Sequence, residues 1–456
     1  RNTASGYRAL GSNTTASNNT AVGACSLYAN TTGFCNTAVG YKAMVSNTTA
    51  SYNTAFGSVA LNANTTGANN TALGNQSLEA NTTGGDNTAV GSGALNVNTT
   101  ASYNSAFGRA ALAANTTGAN NTATGYLALY ANTTASNNTA SGYGALYSNT
   151  TGCRNTAVGL AAGRNHTTGI RNTYLGVNAG CGASSATACL NTASGYSALR
   201  FISSGCEDTA HGYDALYANT TGCRNTAVGM QALKTNTTAN DNTAVGACSL
   251  YANTTGTRIT AVGYKALAAS TCGSWNTAVG YTALVSTTTG HSNVATGYKT
   301  LAANTTGCLN TASGGYSLMT NTTASCNTAH GYGSLKLNTT GTQNTASGIY
   351  SLRENTTGSY NTAVGREALK LNTTGCHNTS VGRNSMISNV NGKMNTAVGS
   401  AALYSQTCGC NNTAVGMCSM YANISGGMNT AIGQSSLLCN TCGWYNTSSG
   451  YNSMKC

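Results

Sequence analysis

The chain of 456 residues contains no proline and little charge, since only 6% of its residues are Asp, Glu, Lys or Arg. Ordinary soluble domains carry about 25% charged residues and about 5% proline. Disordered chains are rich in charge and proline, and collagen needs proline with glycine at every third residue, so both classes are excluded. No apolar run approaches the roughly 18–20 residues that a membrane-spanning helix needs. We therefore expect a folded chain that does not insert into a membrane.

What the sequence does contain is one 17-residue unit, repeated along its whole length. The string Asn-Thr-Ala-x-Gly, or a close variant, begins at Asn2 and recurs every 17 residues until Asn446, with one interval of 19 between Asn172 and Asn191. We number the positions of each of the 27 units from 1, at this Asn, to 17. The length therefore counts repeats rather than domains. We predict a single continuous array over 1–456, with irregular coils at 155–190 dividing it into 1–154 and 191–456.

The repeat predicts an all-β fold, a β-solenoid or β-roll of about 27 coils. Position 5 is Gly in all 27 units, position 3 is Ala in 24, and position 9 is Leu or Met in 25. A unit this short, rich in Thr and Gly, does not suit a helical repeat. We expect two short strands per coil, at positions 2–4 with 6 and at positions 8–11, and a turn at Asn-Thr-Thr. We expect positions 3, 5 and 9 to face inward, with a core ladder at Leu10, Leu27, Leu61, Leu78, Leu95 and Leu112.

The sequence does not decide whether the side chain at position 4 faces inward or outward. It is apolar in 17 units and Ser, Thr or His in ten, including His211 and His330. Polar groups facing inward would need buried partners. We favour an outward direction, which makes position 4 a partly apolar stripe able to pack against another chain.

Units such as NTAVGYTALVSTTTG, Asn276–Gly290, and the similar stretch Thr260–Ser270 resemble tail-fibre-type repeats of phage and bacterial surface proteins. They are similar, more distantly, to the left-handed β-roll heads of trimeric autotransporter adhesins. This resemblance covers the whole chain. It implies an elongated extracellular fibre, often a homotrimer, used for attachment or as a spacer, and located outside the cell or on a cell or virion surface.

Cysteine is frequent, with 18 residues. Equivalent residues of adjacent coils should lie about 4.8 Å apart, within the Cα separation of a disulfide. Disulfides between coils or between chains are therefore feasible at Cys189, Cys206 and Cys223, which all lie two residues before the next unit's Asn, and at Cys439 and Cys456, which share position 11. Cys439-x-x-Cys442 has no second pair at metal-ligand spacing, so we predict neither a metal nor a cofactor.

Asn-Thr-Thr at position 12 is also an N-glycosylation sequon. One interpretation is an Asn ladder with amides bonded from coil to coil, and the other is a row of partly occupied glycans on a secreted fibre. The sequons, including one Asn-Ile-Ser, begin at Asn13, Asn30, Asn47, Asn64, Asn81, Asn98, Asn115, Asn132, Asn149, Asn219, Asn236, Asn253, Asn304, Asn321, Asn338, Asn355, Asn372 and Asn423.

The net charge of +12 comes from cations that are scattered along the repeats. Lys336, Arg353 and Lys370, at position 10 of successive units, form the only strict basic row. Nucleic-acid sites need clustered cations with aromatic platforms, so we predict no nucleic-acid partner and allow weak attraction to acidic surface polysaccharide. Tyrosine is abundant, with 25 residues, eleven of them at position 6. Outward tyrosines suit chain-to-chain packing, with sugar stacking as the alternative.

The five histidines lie in different units, and the repeat places no carboxylate pair near them. We therefore predict that the chain is not an enzyme. Around 155–190, two successive units lack Leu at position 9 and one has two extra residues, beside Arg164, His166 and Arg171. This predicts a bulge or kink, with a binding spot as the alternative.

The sequence begins and stops near unit boundaries, which predicts exposed terminal coils that stack end to end. The leading hypothesis is therefore an extracellular structural filament of self-associating subunits. The alternatives are a homotrimeric adhesin or tail-fibre shaft for surface attachment, and an ice-binding protein presenting the Thr ladder of position 2.

Overall fold

The computed structural model describes residues 1–455 and is an all-β parallel β-solenoid with one three-residue strand in each repeat. The chain divides into two compact units, Arg1–Met230 and Gln231–Cys456. In the described residues no helix is present, and none is therefore long and apolar enough to cross a bilayer. The predicted fold class is confirmed.

The first unit contains fourteen strands, and each pairs in parallel with the next. They are β1 Thr3–Ser5, β2 Thr20–Val22, β3 Thr37–Val39, β4 Thr54–Phe56, β5 Thr71–Leu73, β6 Thr88–Val90, β7 Ser105–Phe107, β8 Thr122–Thr124, β9 Thr139–Ser141, β10 Thr156–Val158, β11 Thr173–Leu175, β12 Thr192–Ser194, β13 Thr209–His211 and β14 Thr226–Val228.

The second unit contains thirteen strands with the same parallel register. They are β15 Thr243–Val245, β16 Thr260–Val262, β17 Thr277–Val279, β18 Val294–Thr296, β19 Thr311–Ser313, β20 Thr328–His330, β21 Thr345–Ser347, β22 Thr362–Val364, β23 Thr379–Val381, β24 Thr396–Val398, β25 Thr413–Val415, β26 Thr430–Ile432 and β27 Thr447–Ser449. In both units like positions lie opposite one another, so each side chain contacts its own copies.

The predicted second strand, at positions 8–11, is wrong, because left-handed residues replace it. In the coil 36–52, Lys42 at position 7 and Met44 at position 9 have φ of 56° and 51°. These values break the strand pleat, since extended strands need negative φ. The segment still bonds to the neighbouring coils, as Met44 N donates to Ala60 O at 3.0 Å. The sequence shows no sign of this conformation, because leucine rarely adopts positive φ.

The interior is built from six positions rather than the predicted three. Side chains at positions 1, 3, 8, 9, 12 and 15 are buried in nearly every coil. Leu27, Leu61, Leu78, Leu95 and Leu112 of the expected core ladder are fully buried, while Leu10, in the first coil, is half-buried. Position 5, which we expected to face inward, is half-buried in every coil except the first and the last, where it is exposed. Its glycines have φ between 117° and 143°, a backbone conformation that other residues rarely adopt. Glycine is therefore needed at position 5 for the backbone conformation and not for the core.

Two glycines of one coil test whether position 5 requires glycine because the next coil lies so close to it. A Cβ on Gly142, at position 5 with φ 133°, would overlap the carbonyl of Gly159 in the next coil, so Gly142→Ala should cost at least about 3 kcal/mol in the free energy of unfolding. Gly144, at position 7 with φ 58°, has open space around it, and Gly144→Ala should cost no more than about 1 kcal/mol. Urea unfolding of both variants measures the difference, and equal costs would contradict it.

Candidate functional site

Two buried rows of asparagine side chains run along the coils, at positions 1 and 12. In the coil 36–52, Asn36 Nδ2 and Asn47 Nδ2 both donate to the carbonyl of Ala50, at 2.8 and 3.0 Å. Each row also bonds from coil to coil, since Asn36 N donates to Asn19 Oδ1 and Asn47 Nδ2 donates to Asn30 Oδ1, both at 2.9 Å. The amides therefore hold each turn and join it to the previous one.

The position-12 row contains the residues of the predicted glycosylation sequons. Asn13 is half-buried and the other seventeen are fully buried. The following Thr belongs to the same network, because Thr48 Oγ1 donates to Thr65 O at 3.1 Å. A glycan on Nδ2 would occupy space filled by the neighbouring coils, so this fold leaves no room for glycans at the buried members. The Asn-ladder interpretation describes what the structure contains.

The cysteines predicted to form disulfides lie on the outside. Cys189, Cys206 and Cys223 occupy one edge of adjacent coils, and Cys206 N donates to Cys223 Sγ at 3.3 Å. No disulfide joins these three residues, and the thiols at all three positions donate to nearby backbone carbonyls. The predicted pair of Cys439 and Cys456 includes a residue, Cys456, that lies outside the described residues.

Position 4 faces solvent, which settles the direction that the sequence left open. In the first unit, Val22, Phe56, Leu73 and Phe107 are 38%, 54%, 38% and 43% exposed. Val39 and Val90 complete this run and are half-buried. We call the exposed apolar run of position 4 from Val22 to Phe107 the seam. A second run of apolar residues occupies position 4 from Val364 to Ile432 in the second unit.

The outward tyrosines stack on one another along the coils. Tyr264, Tyr281 and Tyr298 have ring centroids 5.4 Å apart, with planes tilted by 21° and 13°. Similar pairs are found in the first unit, such as Tyr196 and Tyr213 at 5.4 Å and 9°. Because the ring faces are turned toward each other, the stacks present ring edges and hydroxyls to solvent. This geometry disfavours the sugar-stacking alternative, which needs an open ring face.

The irregular coils keep a filled core through one compensating side chain. Tyr174, at position 3, is fully buried and occupies the space left by the two leucines missing from position 9. A Cβ on Gly163 would meet both the Leu146 side chain and the Tyr174 ring at 2.9 Å, and one on Gly180 would overlap the Tyr174 ring. The predicted irregularity is therefore repacked inside, and the two extra residues are absorbed in the turn that contains the bridge between His166 and Ala186.

His166 takes the place of Asn at position 12 in these coils. It is 1% exposed, its Nε2 lies 3.0 Å from the carbonyl of Gly180, and its ring centroid is 5.0 Å from that of Tyr174. Burial lowers the pKa of His166 to about 4, against a weaker opposing effect of the Gly180 carbonyl. The ring is therefore neutral at pH 7, and it serves as a core side chain rather than as an exposed acid or base.

The other four histidines, His211, His291, His330 and His377, are exposed on separate coils. His377 stacks on Tyr360 at 4.7 Å. Within residues 1–455, no three His, Cys, Asp or Glu side chains gather in a way that could hold a metal ion.

Asp208 is a buried carboxylate at position 1, where nearly every other unit has Asn. Its Oδ1 accepts from Asn225 N and Asn225 Nδ2 at 2.8 and 3.0 Å, and its Oδ2 accepts from Asn219 Nδ2 at 2.8 Å. In a regular coil Asn219 would donate to position 12 of the previous coil, but that residue is Ile202, which has no acceptor. Asp208 Oδ2 thus supplies the hydrogen-bond acceptor that an Asn would offer at position 202 and that the Ile202 side chain lacks. Burial raises the pKa of Asp208 to about 7, although these hydrogen bonds oppose the shift.

Comparison with known proteins adds no relative, since no protein family matches the chain and no curated protein is significantly similar to it.

The compensation by Tyr174 predicts a pattern of stabilities. Tyr174→Ala alone leaves a cavity and should cost about 3–5 kcal/mol in the free energy of unfolding. Adding Gly163→Leu and Gly180→Leu should recover most of that loss, because both glycines already have the positive φ, 61° and 51°, that leucine adopts at position 9 elsewhere. Urea unfolding compares the variants. A triple variant no more stable than Tyr174→Ala would contradict the compensation.

Asp208 predicts a dependence of stability on pH. Its pKa is higher in the folded state, about 7, than the ordinary value of 3.8. The protonated form therefore stabilises the fold at low pH, and this contribution is lost as the pH rises from about 4 through 7. Asp208→Asn should remove this fall in stability with rising pH, and adding Ile202→Asn should restore both amide rows. Unfolding free energies at pH 5 and pH 8 measure the effect, with the exposed Asp86→Asn as the control. An unchanged pH dependence in Asp208→Asn would contradict it.

Proposed function

We propose that the protein is a non-enzymatic structural fibre whose copies associate side by side through the seam. The single observation that supports this is the exposed apolar run of position 4. From Val22 to Phe107 it spans six adjacent coils, or about 24 Å at the usual strand spacing. Soluble monomers rarely expose continuous apolar patches of this kind, which usually mark interaction sites.

The partner that fits the seam is a second copy of the chain. Strands β2 to β7 present Thr or Ser at position 2 beside the apolar residue of position 4, in strict register. Such a face can pack on an identical face, as in two-layered sheets with their strands about 10 Å apart. Because each copy offers the same surface, the contact is isologous and closes between the two copies. The second apolar run, at Val364–Ile432, offers a further contact of the same type.

The fibre role also agrees with the way the coils are held together. Each coil contacts its neighbours through backbone bonds and two amide rows, so stability is a sum of nearest-neighbour terms that extends with every added repeat. Together with the resemblance of the repeats to those of surface fibres, this supports an extracellular or surface location. End-to-end stacking of the coils remains a prediction from the sequence.

The seam is tested by replacing its three largest side chains. Phe56→Ser, Leu73→Ser and Phe107→Ser together should shift the protein toward smaller species at micromolar concentration, measured by sedimentation velocity and electron microscopy. The matched control is Leu190→Ser, Leu309→Ser and Met394→Ser, which removes comparable exposed area at position 17, outside the seam. The control should associate like the original protein.

Four outcomes would contradict or redirect the proposal. A monomeric original protein would end it, as would equal effects of seam and control variants. Particles of fixed trimeric size would replace the fibre by the attachment-shaft alternative. Thermal hysteresis in the monomer would instead assign the Thr row of position 2 to ice binding.

A further inference from the structure

One part of the second unit carries an unbroken row of six tyrosines. After the stack Tyr264, Tyr281 and Tyr298, the row continues edge to face through Tyr316, Tyr332 and Tyr350, with centroid distances of 5.2, 5.6 and 5.6 Å. The row changes position in the repeat without a gap. Tyr316 stands at position 7 where position 6 is Gly315, and Tyr332 stands at position 6 where position 7 is Gly333.

Cationic side chains lie along this row. Lys265 Nζ is 5.3 Å from the ring centroid of Tyr264, Lys299 Nζ is 5.4 Å from that of Tyr298, and Lys336 Nζ is 5.4 Å from that of Tyr316. Arg353 and Lys370 extend the row beside Tyr350. These last two pair with Glu354 and Glu367, whereas no carboxylate among residues 1–455 pairs with Lys265, Lys299 or Lys336.

The charge balance changes in the same stretch. From residue 242 to residue 353 there is no Asp or Glu, while five Lys and Arg residues are present. Position 4 becomes polar here as well, with Thr296, Ser313, His330 and Ser347 in four successive coils. Position 4 is therefore apolar only in the first two coils of the tyrosine row, at Val262 and Val279, and polar in the four coils that follow. The surface along those four coils is rich in hydroxyl groups and carries Lys299, Lys336 and Arg353.

A shallow groove of about 410 Å³ lies beside the row. Small or apolar residues form its floor at position 10, Val285, Ala302 and Met319. Lys299, which also lies over the Tyr298 ring, lines the groove together with Ser286 and Thr320. The groove thus combines apolar lining residues with Lys299, which also belongs to the tyrosine row.

We propose that this surface, the tyrosine row from Tyr264 to Tyr350 with Lys265, Lys299, Lys336 and the adjoining groove, binds an acidic polysaccharide. The cations would contact carboxylate or sulfate groups, and the tyrosine and serine hydroxyls would bond to sugar hydroxyls. Lys265 and Lys299 are two coils apart, about 10 Å at the strand spacing, which is the length of a disaccharide. Acidic groups two sugars apart along a polysaccharide chain therefore match the spacing of these two cations.

The ring geometry favours a polysaccharide over a single-stranded nucleic acid. Nucleic-acid surfaces bind bases by stacking them on open aromatic faces. In this row the faces of Tyr264, Tyr281 and Tyr298 are turned toward one another at 5.4 Å, which leaves no slot for a base. In this stacked part of the row the ring edges and hydroxyls lie beside Lys265 and Lys299, which suits a chain that carries both charge and hydroxyl groups.

The test measures binding of the whole chain to polygalacturonate, with dextran as the neutral polymer, by affinity electrophoresis and calorimetry. The original protein should bind polygalacturonate and not dextran, with an affinity that falls at least about tenfold between 50 and 300 mM salt because the contact is charged. Lys265→Gln, Lys299→Gln and Lys336→Gln together should weaken binding at least tenfold. The matched control, Arg154→Gln, Arg171→Gln and Lys393→Gln, removes the same charge elsewhere and should weaken it less than threefold.

A second variant examines the hydroxyls without changing charge. Tyr281→Phe with Tyr298→Phe keeps both rings and should weaken binding severalfold. Circular dichroism of each variant shows that the solenoid is intact. Equal losses in the lysine triple and its control would overturn the proposal, since they would show only an effect of net charge. Binding of dextran, or stronger binding of single-stranded DNA of equal length, would also overturn it.

Discussion

The structure of each coil depends on hydrogen bonds between buried side-chain amides and the backbone inside a narrow interior. The amides at positions 1 and 12 do this by meeting at one carbonyl, as Asn36 and Asn47 do at Ala50, and by bonding to their copies in the previous coil. A buried amide without partners is costly, so each Asn is fixed by its neighbours as well as by its own turn. The small side chains of positions 3, 8 and 15 follow, because they leave room for these amides.

The period of 17, the strand at positions 2–4 and the inward Ala and Leu were all predictable, because identical side chains must stack when coils are in register. The left-handed backbone at positions 7 and 9 was not, since nothing in a leucine such as Leu27 signals positive φ. The burial of the Asn in each Asn-Thr-Thr was stated as an alternative and not decided, because a glycosylation sequon and an amide ladder have the same sequence. The partnerships of Tyr174 with Gly163 and Gly180, and of Asp208 with Ile202, could have been found by asking which departures occur in adjacent coils.

The same repeat offers different surfaces in different coils, because only the outward positions vary. Position 4 is apolar from Val22 to Phe107 and polar from Thr296 to Ser347, while positions 6 and 7 carry tyrosines along that second stretch. The buried positions keep the same kinds of residue through these exchanges. One scaffold can therefore hold a self-association face and a ligand face on separate groups of coils, without a separate domain for either.

The coil that begins at Asn172 has two more residues than the others, yet Asn191 N still donates to Asn172 Oδ1 at 3.0 Å, as it would in a regular coil. The amide row, and not the residue count, therefore sets the register between coils. Length changes in the turn near Ala186 leave the coils on either side undisturbed. This turn is thus a natural insertion point, where a longer loop or a foreign peptide could be displayed while the array keeps its order.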